Sequence, residues 1–195
     1  MTERPHLQQE KAQLRVLLQN KLAKLSMPDQ EEASVQVCSR LRQHRFWQTA
    51  TSVLFYASMN GEVGTRDLVE EALAQGKLVA FPKYDRLLGI YAARQVADLE
   101  ADLQRGYFGI LEPIDRCELA PLNQLDLVLV PGLGFDEAGH RLGRGKGHYD
   151  RLLAAVCGIK CGLAFDCQVT AEIPAEPHDV KLDCVVTPSR WLGVA

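Results

Sequence analysis

From Leu125 to Val130 the chain is an almost unbroken Leu/Val run, and it opens directly into P-G-L-G-F-D-E-A-G-H-R-L-G-R-G-K-G-H-Y-D-R-L-L, which ends at Leu153. No other feature limits the possible folds as much. A continuous apolar run suits a strand covered on both faces, and such strands belong to largely parallel sheets layered with helices. The glycines that follow (Gly132, Gly134, Gly139, Gly143, Gly145, Gly147 and then Gly158) allow φ > 0 and remove Cβ atoms that would hold a ligand off. Arg144 and Lys146 alternate with Gly143, Gly145 and Gly147. Peptide N–H groups turned towards an anion, with basic side chains as countercharge, are the outline of a phosphate site. Beyond it Tyr149, Leu152, Leu153 and Val156 recur at i, i+3, i+4 and i+7, which predicts an amphipathic helix whose positive end faces the loop.

The remaining chain supplies elements for such a sheet. Leu14, Leu18, Leu22 and Leu25 predict a first helix over His6 to Leu25. Lys11 and Arg15 lie one turn apart on a neighbouring face, which periodicity alone assigns to solvent. Ser26, with Asp29 three places on, predicts the cap of a second helix that turns Ala33, Val37 and Leu41 inwards and ends near Phe46 and Trp47. Val53 to Ala57 and Leu78 to Phe81 read as strands flanking a helix that Thr65 caps and Gly76 ends, hence a βαβ unit with parallel strands. The loop Ser58 to Gly64 leaves the carboxyl end of the first strand, where open α/β sheets bind ligands, so Glu62 is either a functional carboxylate or a loop solubiliser. Lys83 stands at the next strand end. Leu88 to Ala92 follows a tight turn and should pair antiparallel.

Two aromatic residues, Tyr107 and Phe108, mark a loop that could stack on a flat ligand or plug the core. Lys160 to Phe165 and Leu182 to Thr187 are two further expected strands, joined by an irregular segment with Pro174, Pro177, His178 and Asp179. Asp183, early in the second of these otherwise apolar strands, is an acid that needs a partner, a metal or a water-filled cleft. The expected architecture is α/β: a three-layer, Rossmann-like open and mostly parallel sheet with helices on both faces, forming one domain across 1–195.

Composition narrows the function. At 195 residues, 47% hydrophobic and 24% charged, the chain suits one globular core and neither disorder nor a coiled coil. A net charge of -3 makes any basic site local and argues against nucleic acid as partner. No apolar run approaches the roughly 18 residues of a membrane span, and Met1 to Pro5 lacks the apolar core of a signal peptide, so a cytoplasmic protein is expected. The six cysteines form no CxxC pair and are expected reduced and buried. Cys157, Cys161, Cys167 and His178 match no common zinc spacing.

The familiar phosphate motifs fail on inspection. A Walker loop would need Ser or Thr where Gly147 follows Gly145-Lys146, and a dinucleotide fingerprint would need glycine where Glu137 or His148 stands. No Gly-x-Ser-x-Gly elbow is present. The residues by themselves define an anion site on a parallel sheet, with Asp150 and Asp183 available for a divalent cation.

P-G-L-G-F-D at 131–136 with R-L-G-R-G-K-G-H-Y-D at 141–150 resembles the hallmark of the 5-formyltetrahydrofolate cyclo-ligase family. K-A-Q-L-R at 11–15, Met59-Asn60-Gly61-Glu62, G-I-L-E-P at 109–113 and the closing I-P-A-E-P-H-D-V-K-L-D-C-V-V-T-P extend the similarity over nearly the whole chain. The resemblance implies ATP- and magnesium-dependent closure of 5-formyltetrahydrofolate to 5,10-methenyltetrahydrofolate, with ADP and phosphate as products; separately, a monomer is expected. By position it implies that Lys11, Ala12, Gln13, Leu14 and Arg15, with Arg141, Leu142, Gly143, Arg144, Gly145, Lys146, Gly147, His148 and Tyr149, contact ATP. Ala57, Glu62 and the loop centre from Arg144 to His148 would border the folate, Arg144 and Lys146 would serve catalysis, and Asp150 and Asp183 would hold Mg2+. In this chain Lys146 replaces a residue more often small in the family, and His148 one more often aromatic.

The same residues would also suit a binding relative without turnover, a sugar-phosphate isomerase or transferase that leaves Lys11, Arg15 and Asp150 idle, or an RNA binder with steep salt dependence.

Overall fold

The computed structural model describes residues 3–106 and 109–193, with side chains from His6 onwards. Met1 and Thr2 of the leading segment, the aromatic pair Tyr107 and Phe108, and Val194 and Ala195 lie outside the described residues. In chain order the elements are α1 (Glu3–Leu22), α2 (Met27–Arg42), α3 (Arg45–Thr49), β1 (Ser52–Leu54), α4 (Arg66–Ala74), β2 (Leu78–Asp85), β3 (Ile90–Gln95) and β4 (Leu103–Arg105). They continue with β5 (Leu111–Pro113), β6 (Leu127–Val130), β7 (Gly134–Phe135), β8 (Arg141–Leu142), α5 (His148–Ala154), β9 (Ile159–Leu163), β10 (Cys184–Val186) and β11 (Trp191–Gly193).

The local signals account for most of these boundaries. Asp29 N donates to Ser26 Oγ at 3.3 Å and Ser26 N donates back to Asp29 Oδ2 at 3.2 Å, the reciprocal capping box that starts α2. The second helix stops before Phe46, because His44 takes an extended conformation and its ring accepts Phe46 N at 3.3 Å, which starts α3 as a separate turn. Thr65 precedes α4 without capping it through its side chain; its hydroxyl donates instead to Tyr56 O at 3.3 Å. The strand expected over Val53 to Ala57 is shorter, Ser52–Leu54, while β2 runs four residues past Phe81 to Asp85.

Seven strands form the main sheet in the order β11-β10-β9-β6-β1-β2-β3. β1, β2, β6, β9 and β10 pair in parallel, while β3 and β11 close the two edges antiparallel. Numbered by chain order, the parallel strands lie 2-1-3-4-5, so within the expected architecture the connectivity is the flavodoxin-like doubly wound one. Its topological switch falls between β1 and β6.

The period-2 alternation of each strand divides the core. Val53, Val79, Leu127, Leu129, Cys161 and Leu163 pack against Val37, Leu41, Trp47, Leu68, Val69 and Ala72 of α2, α3 and α4. Leu54, Ala80, Val128, Val130 and Val185 face the other way, onto Leu152, Leu153 and Val156 in and just after α5. Burial of both faces explains the unbroken Leu/Val run of β6, and truncating a fully buried leucine such as Leu129 to alanine would cost about 2–5 kcal/mol.

Asp183 lies at the amino end of β10, on the side of the sheet away from the loops that follow β1 and β6. Its Oδ2 accepts Lys160 N at 2.7 Å and its own N–H donates to Lys160 O at 2.9 Å. This corrects its expected place beside Asp150: the partner the acid needed is a backbone amide. Cys38, Cys117, Cys161 and Cys184 are buried and unpaired, whereas Cys157 is exposed and Cys167 half-buried, so the expectation of burial fails for these two.

Candidate active site

At a switch point the loops leaving two adjacent strands diverge to opposite faces and open a crevice at the carboxyl ends. Here Tyr56 and Ala57 follow β1, Pro131 and Gly132 follow β6, and all four line a cavity of about 550 Å³. That volume suits a small-molecule ligand. Pro82 and Tyr91 form part of its wall, and Lys11, Arg15 and Glu176 to Asp179 approach from helix α1 and the tail.

The glycine loop extends from the small β7–β8 hairpin, in which Phe135 pairs with Arg141. Asp136, 1% exposed, anchors it: its carboxylate accepts His140 N at 2.8 Å, lies 2.9 Å from His140 Nδ1, and accepts Ile173 N at 2.9 Å. Hairpin and tail segment are therefore set as one unit. Gly145 has φ 97°, a conformation that disfavours any side chain, and a Cβ built there would sit 3.4 Å from Arg15 Cζ. Arg15 Nε in turn donates to Gly143 O at 2.9 Å, so the loop lies directly on the guanidinium. α5 has only seven residues, which limits the dipole expected from it and leaves the positive potential to side chains.

Lys11, read from periodicity as a surface charge, is 5% exposed; its Nζ lies 3.0 Å from Glu176 Oε2 and 2.6 Å from Asp179 Oδ2. Burial works to raise the pKa of Asp179, but hydrogen bonds from Lys11 and the Glu176 amide outweigh it and hold the acid below its usual range. Arg141 Nη2 lies 3.1 Å from each oxygen of Asp150, and Nη1 donates to Pro131 O at 3.3 Å. Its Nε is buried without a partner, a donor that a ligand could satisfy.

Glu62 is 7% exposed at the side chain, with Oε1 3.2 Å from Arg144 Nη2 and Oε2 accepting Met59 N at 3.1 Å. Burial pushes its pKa up, against the lowering pull of the Met59 amide and Arg144. One wall is aromatic: the ring of His148 lies 5.2 Å from that of Tyr84 and 5.9 Å from that of Tyr91, and Tyr149 lies 6.1 Å from Tyr91. Burial raises the Tyr91 hydroxyl to about 12 and pushes that of Tyr149 up as well, so both stay neutral donors.

The structure thus brings Lys11, Arg15, Ala57, Glu62 and every residue from Arg141 to Asp150 to one cavity. It leaves Ala12 and Gln13 exposed outside the lining, turns Leu14 into a small apolar cluster with Leu18, Leu142 and Ile173, and keeps Asp183 outside the lining. Sequence reasoning assigned no role to Gln8, Tyr56, Tyr91, Glu112, Glu176 or Asp179, which also line the cavity. Glu176 and Asp179 sit in a tail without periodicity, and only their long-range ion pairs with Lys11 reveal them. Among the described residues Glu176, His178 and Asp179 place ligand-type atoms within 4.8 Å of one another, but Lys11 occupies that charge; the cysteines considered with His178 do not join them.

Fold and site together define a doubly wound α/β protein with a charged cleft at its switch point, lined by lysine, arginine and carboxylate side chains. The chain belongs to the 5-formyltetrahydrofolate cyclo-ligase family, whose model matches residues 7–188. It is 32% identical to the mouse 5-formyltetrahydrofolate cyclo-ligase over 184 residues, covering 89% of this chain and 91% of that one. To the Escherichia coli K12 enzyme of the same name it is 33% identical over 174 residues, covering 85% and 93%. The NMR structure of Aquifex aeolicus 5,10-methenyltetrahydrofolate synthetase superposes with a TM-score of 0.84 at 33% identity, covering 94% of this chain and 92% of that one. The protein is accordingly a 5-formyltetrahydrofolate cyclo-ligase, a ligase of folate one-carbon metabolism. No helix among the described residues is long and apolar enough to cross a membrane.

Proposed function

We propose that this cleft couples ATP consumption to ring closure on 5-formyltetrahydrofolate, with the glycine loop as the boundary between the two substrates. The observation that carries the reading is Arg144: it reaches across from the glycine loop to Glu62 in the loop that follows β1, so one cation faces both halves of the cavity. Arg15, Arg141 and Lys146 hold the nucleotide phosphates, and Lys11 is held by Glu176 and Asp179 at the cavity's edge. Glu62 and the tyrosine–histidine wall hold the folate rings, with Ala57 beside them.

In this arrangement the formyl oxygen attacks the γ-phosphorus and ADP departs. The second folate nitrogen then attacks the formyl carbon, and phosphate leaves as the five-membered ring closes. Arg144 and Lys146 neutralise the charge that gathers on the transferring group, which is the main demand such chemistry makes on a protein. Among the described residues that line the cavity there is no serine or cysteine, which suits positioning and electrostatics in place of a covalent enzyme intermediate.

Of the two acids expected to hold Mg2+, Asp150 is the one in the cavity lining, a hard oxygen ligand whose shell nucleotide oxygens would complete. Bound there, the ion would screen phosphate charge. Arg141, paired with the same carboxylate, orients it. We infer a cytoplasmic monomer in which the whole chain serves as one catalytic domain, without nucleic acid as partner.

The test of the chemistry is isotopic. With the formyl oxygen labelled with 18O, the label should appear in inorganic phosphate at one atom per methenyltetrahydrofolate formed. Label released into water would overturn phosphorylation of the formyl oxygen.

A further inference from the structure

Arg151 belongs to none of the groups assigned to the cleft, yet it joins a lining residue, His148, to the β2–β3 turn. Its Nη2 lies 2.7 Å from His148 Nδ1 and donates to Gly89 O at 3.1 Å. His148 lines the cavity, and Gly89 closes the β2–β3 turn. A guanidinium offers donors only, so the Nδ1 that faces it accepts, and the proton of a neutral imidazole is placed on Nε2. The flanking tyrosines fix a different coordinate. Tyr84 and Tyr91 meet the ring at interplanar angles of 64° and 87°, edge contacts that set its tilt. Such contacts discriminate weakly between the ring and the same ring turned by half a revolution about χ2, because the imidazole outline is nearly unchanged. The turn would put a C–H against the guanidinium and lose the 2.7 Å hydrogen bond, so Arg151 favours the flip that keeps Nδ1 facing it.

We infer that Arg151 is a positioning residue for the folate site: it holds His148 in one ring flip and as the Nε2–H tautomer. The imidazole then meets a planar heteroaromatic ligand with a fixed face and a fixed donor, tied through Gly89 to the β2–β3 turn. The identity of the ligand rests on the folate reading of the cleft; the state of the ring does not.

Two measurements on the full-length protein test this separately. With histidine ring nitrogens labelled, NMR at about pH 8.5, where an ordinary imidazole is neutral, should show His148 with an acceptor-type Nδ1 and a protonated Nε2. Arg151→Ala should convert it to a mixture of tautomers; assignment comes from the signal lost in His148→Phe. A protonated Nδ1 in the wild type, or a spectrum that Arg151→Ala leaves unchanged, overturns the inference.

In steady-state kinetics Arg151→Ala should raise KM for 5-formyltetrahydrofolate about 3- to 10-fold, the range of one hydrogen bond, while kcat and KM for ATP stay within about 2-fold. Arg151→Lys, which keeps a donor, should recover most of the loss. In the His148→Phe background Arg151→Ala should have no further effect, since the atom through which it acts is gone. An undiminished effect in that background would show that Arg151 acts through the turn and overturns the assignment. Absence of product from the wild type would defeat the folate reading, with the NMR result still deciding the position of the ring.

Discussion

Glu62 keeps a carboxylate with a side chain only 7% exposed, and burial is the main reason its pKa is raised. If its ionised form holds the folate, activity is lost as the pH falls through that raised value. The acid limb of kcat/KM should then lie above the ordinary glutamate value of 4.5, and Glu62→Gln should flatten it while raising KM for the folate. The stability consequence has the opposite sense: the protonated form is favoured by folding, so stability declines as the pH rises through the raised pKa, and the glutamine variant should lack that decline. In the proposed mechanism the charged side chains of the loop act on the transferred group. Arg144→Ala and Lys146→Ala are each expected to lower kcat/KM by about 10²- to 10³-fold with an unchanged far-UV circular dichroism spectrum. Wild-type rates from either variant would remove that residue from the catalytic role.

At the scale of elements, the loop and the strand ends make separable contributions. Gly145→Ala places a side chain at φ 97°, at a cost of about 1–2 kcal/mol, and against Arg15. It should raise KM for ATP by about tenfold or more while lowering the melting temperature by only a few degrees. Asp126 works at the other end of the sheet, where Oδ2 accepts Thr51 N at 2.8 Å, Thr51 Oγ1 at 2.7 Å and Ser52 N at 3.0 Å and so ties the amino ends of β1 and β6 together. The Thr51 hydroxyl is the chief cause of its lowered pKa, aided by the amides and opposed by burial. A depressed carboxylate contributes stability that is present above its unfolded pKa and lost as the pH falls through the folded one. Asp126→Ala should therefore cost about 1 kcal/mol in urea unfolding at neutral pH, since the group is exposed, and progressively less below pH 3.8, with activity retained.

These elements also show what the sequence could and could not disclose. β6 was legible because burial on both faces writes a continuous apolar run, and α2 because Ser26 and Asp29 are a local signal. Lys11 was not, because the ion partners that bury it lie 165 and 168 residues away and no periodicity encodes them. Asp183 misled for a related reason: its position in the chain suggests a functional acid, whereas its depth along the strand, which parallel register fixes, puts it at the amino end. The glycine loop gave the site, but Tyr91 and Glu112 join it from the β3 edge and the β4–β5 hairpin, through tertiary packing alone.

Across the whole molecule, the switch point between β1 and β6 is the reason residues from Lys11 to Asp179 converge on one cavity. If, as proposed, two ligands share the loop and Arg144, each should stabilise the native state according to its own occupancy. A non-hydrolysable ATP analogue and 5-formyltetrahydrofolate are thus each expected to raise the melting temperature, by about 2.7 kcal/mol of stabilisation at 100 times Kd. Arg144→Ala should reduce both shifts. A variant that loses only one would separate the two halves of the cavity and place Arg144 in that half alone.

If this chain spends ATP to close the folate ring, both products of one reaction must appear together. With ATP, Mg2+ and 5-formyltetrahydrofolate, methenyltetrahydrofolate absorbance and released phosphate should rise together in a one-to-one ratio, and both should be absent without ATP. Methenyltetrahydrofolate formed without ATP, phosphate released without methenyltetrahydrofolate, or neither product would contradict it.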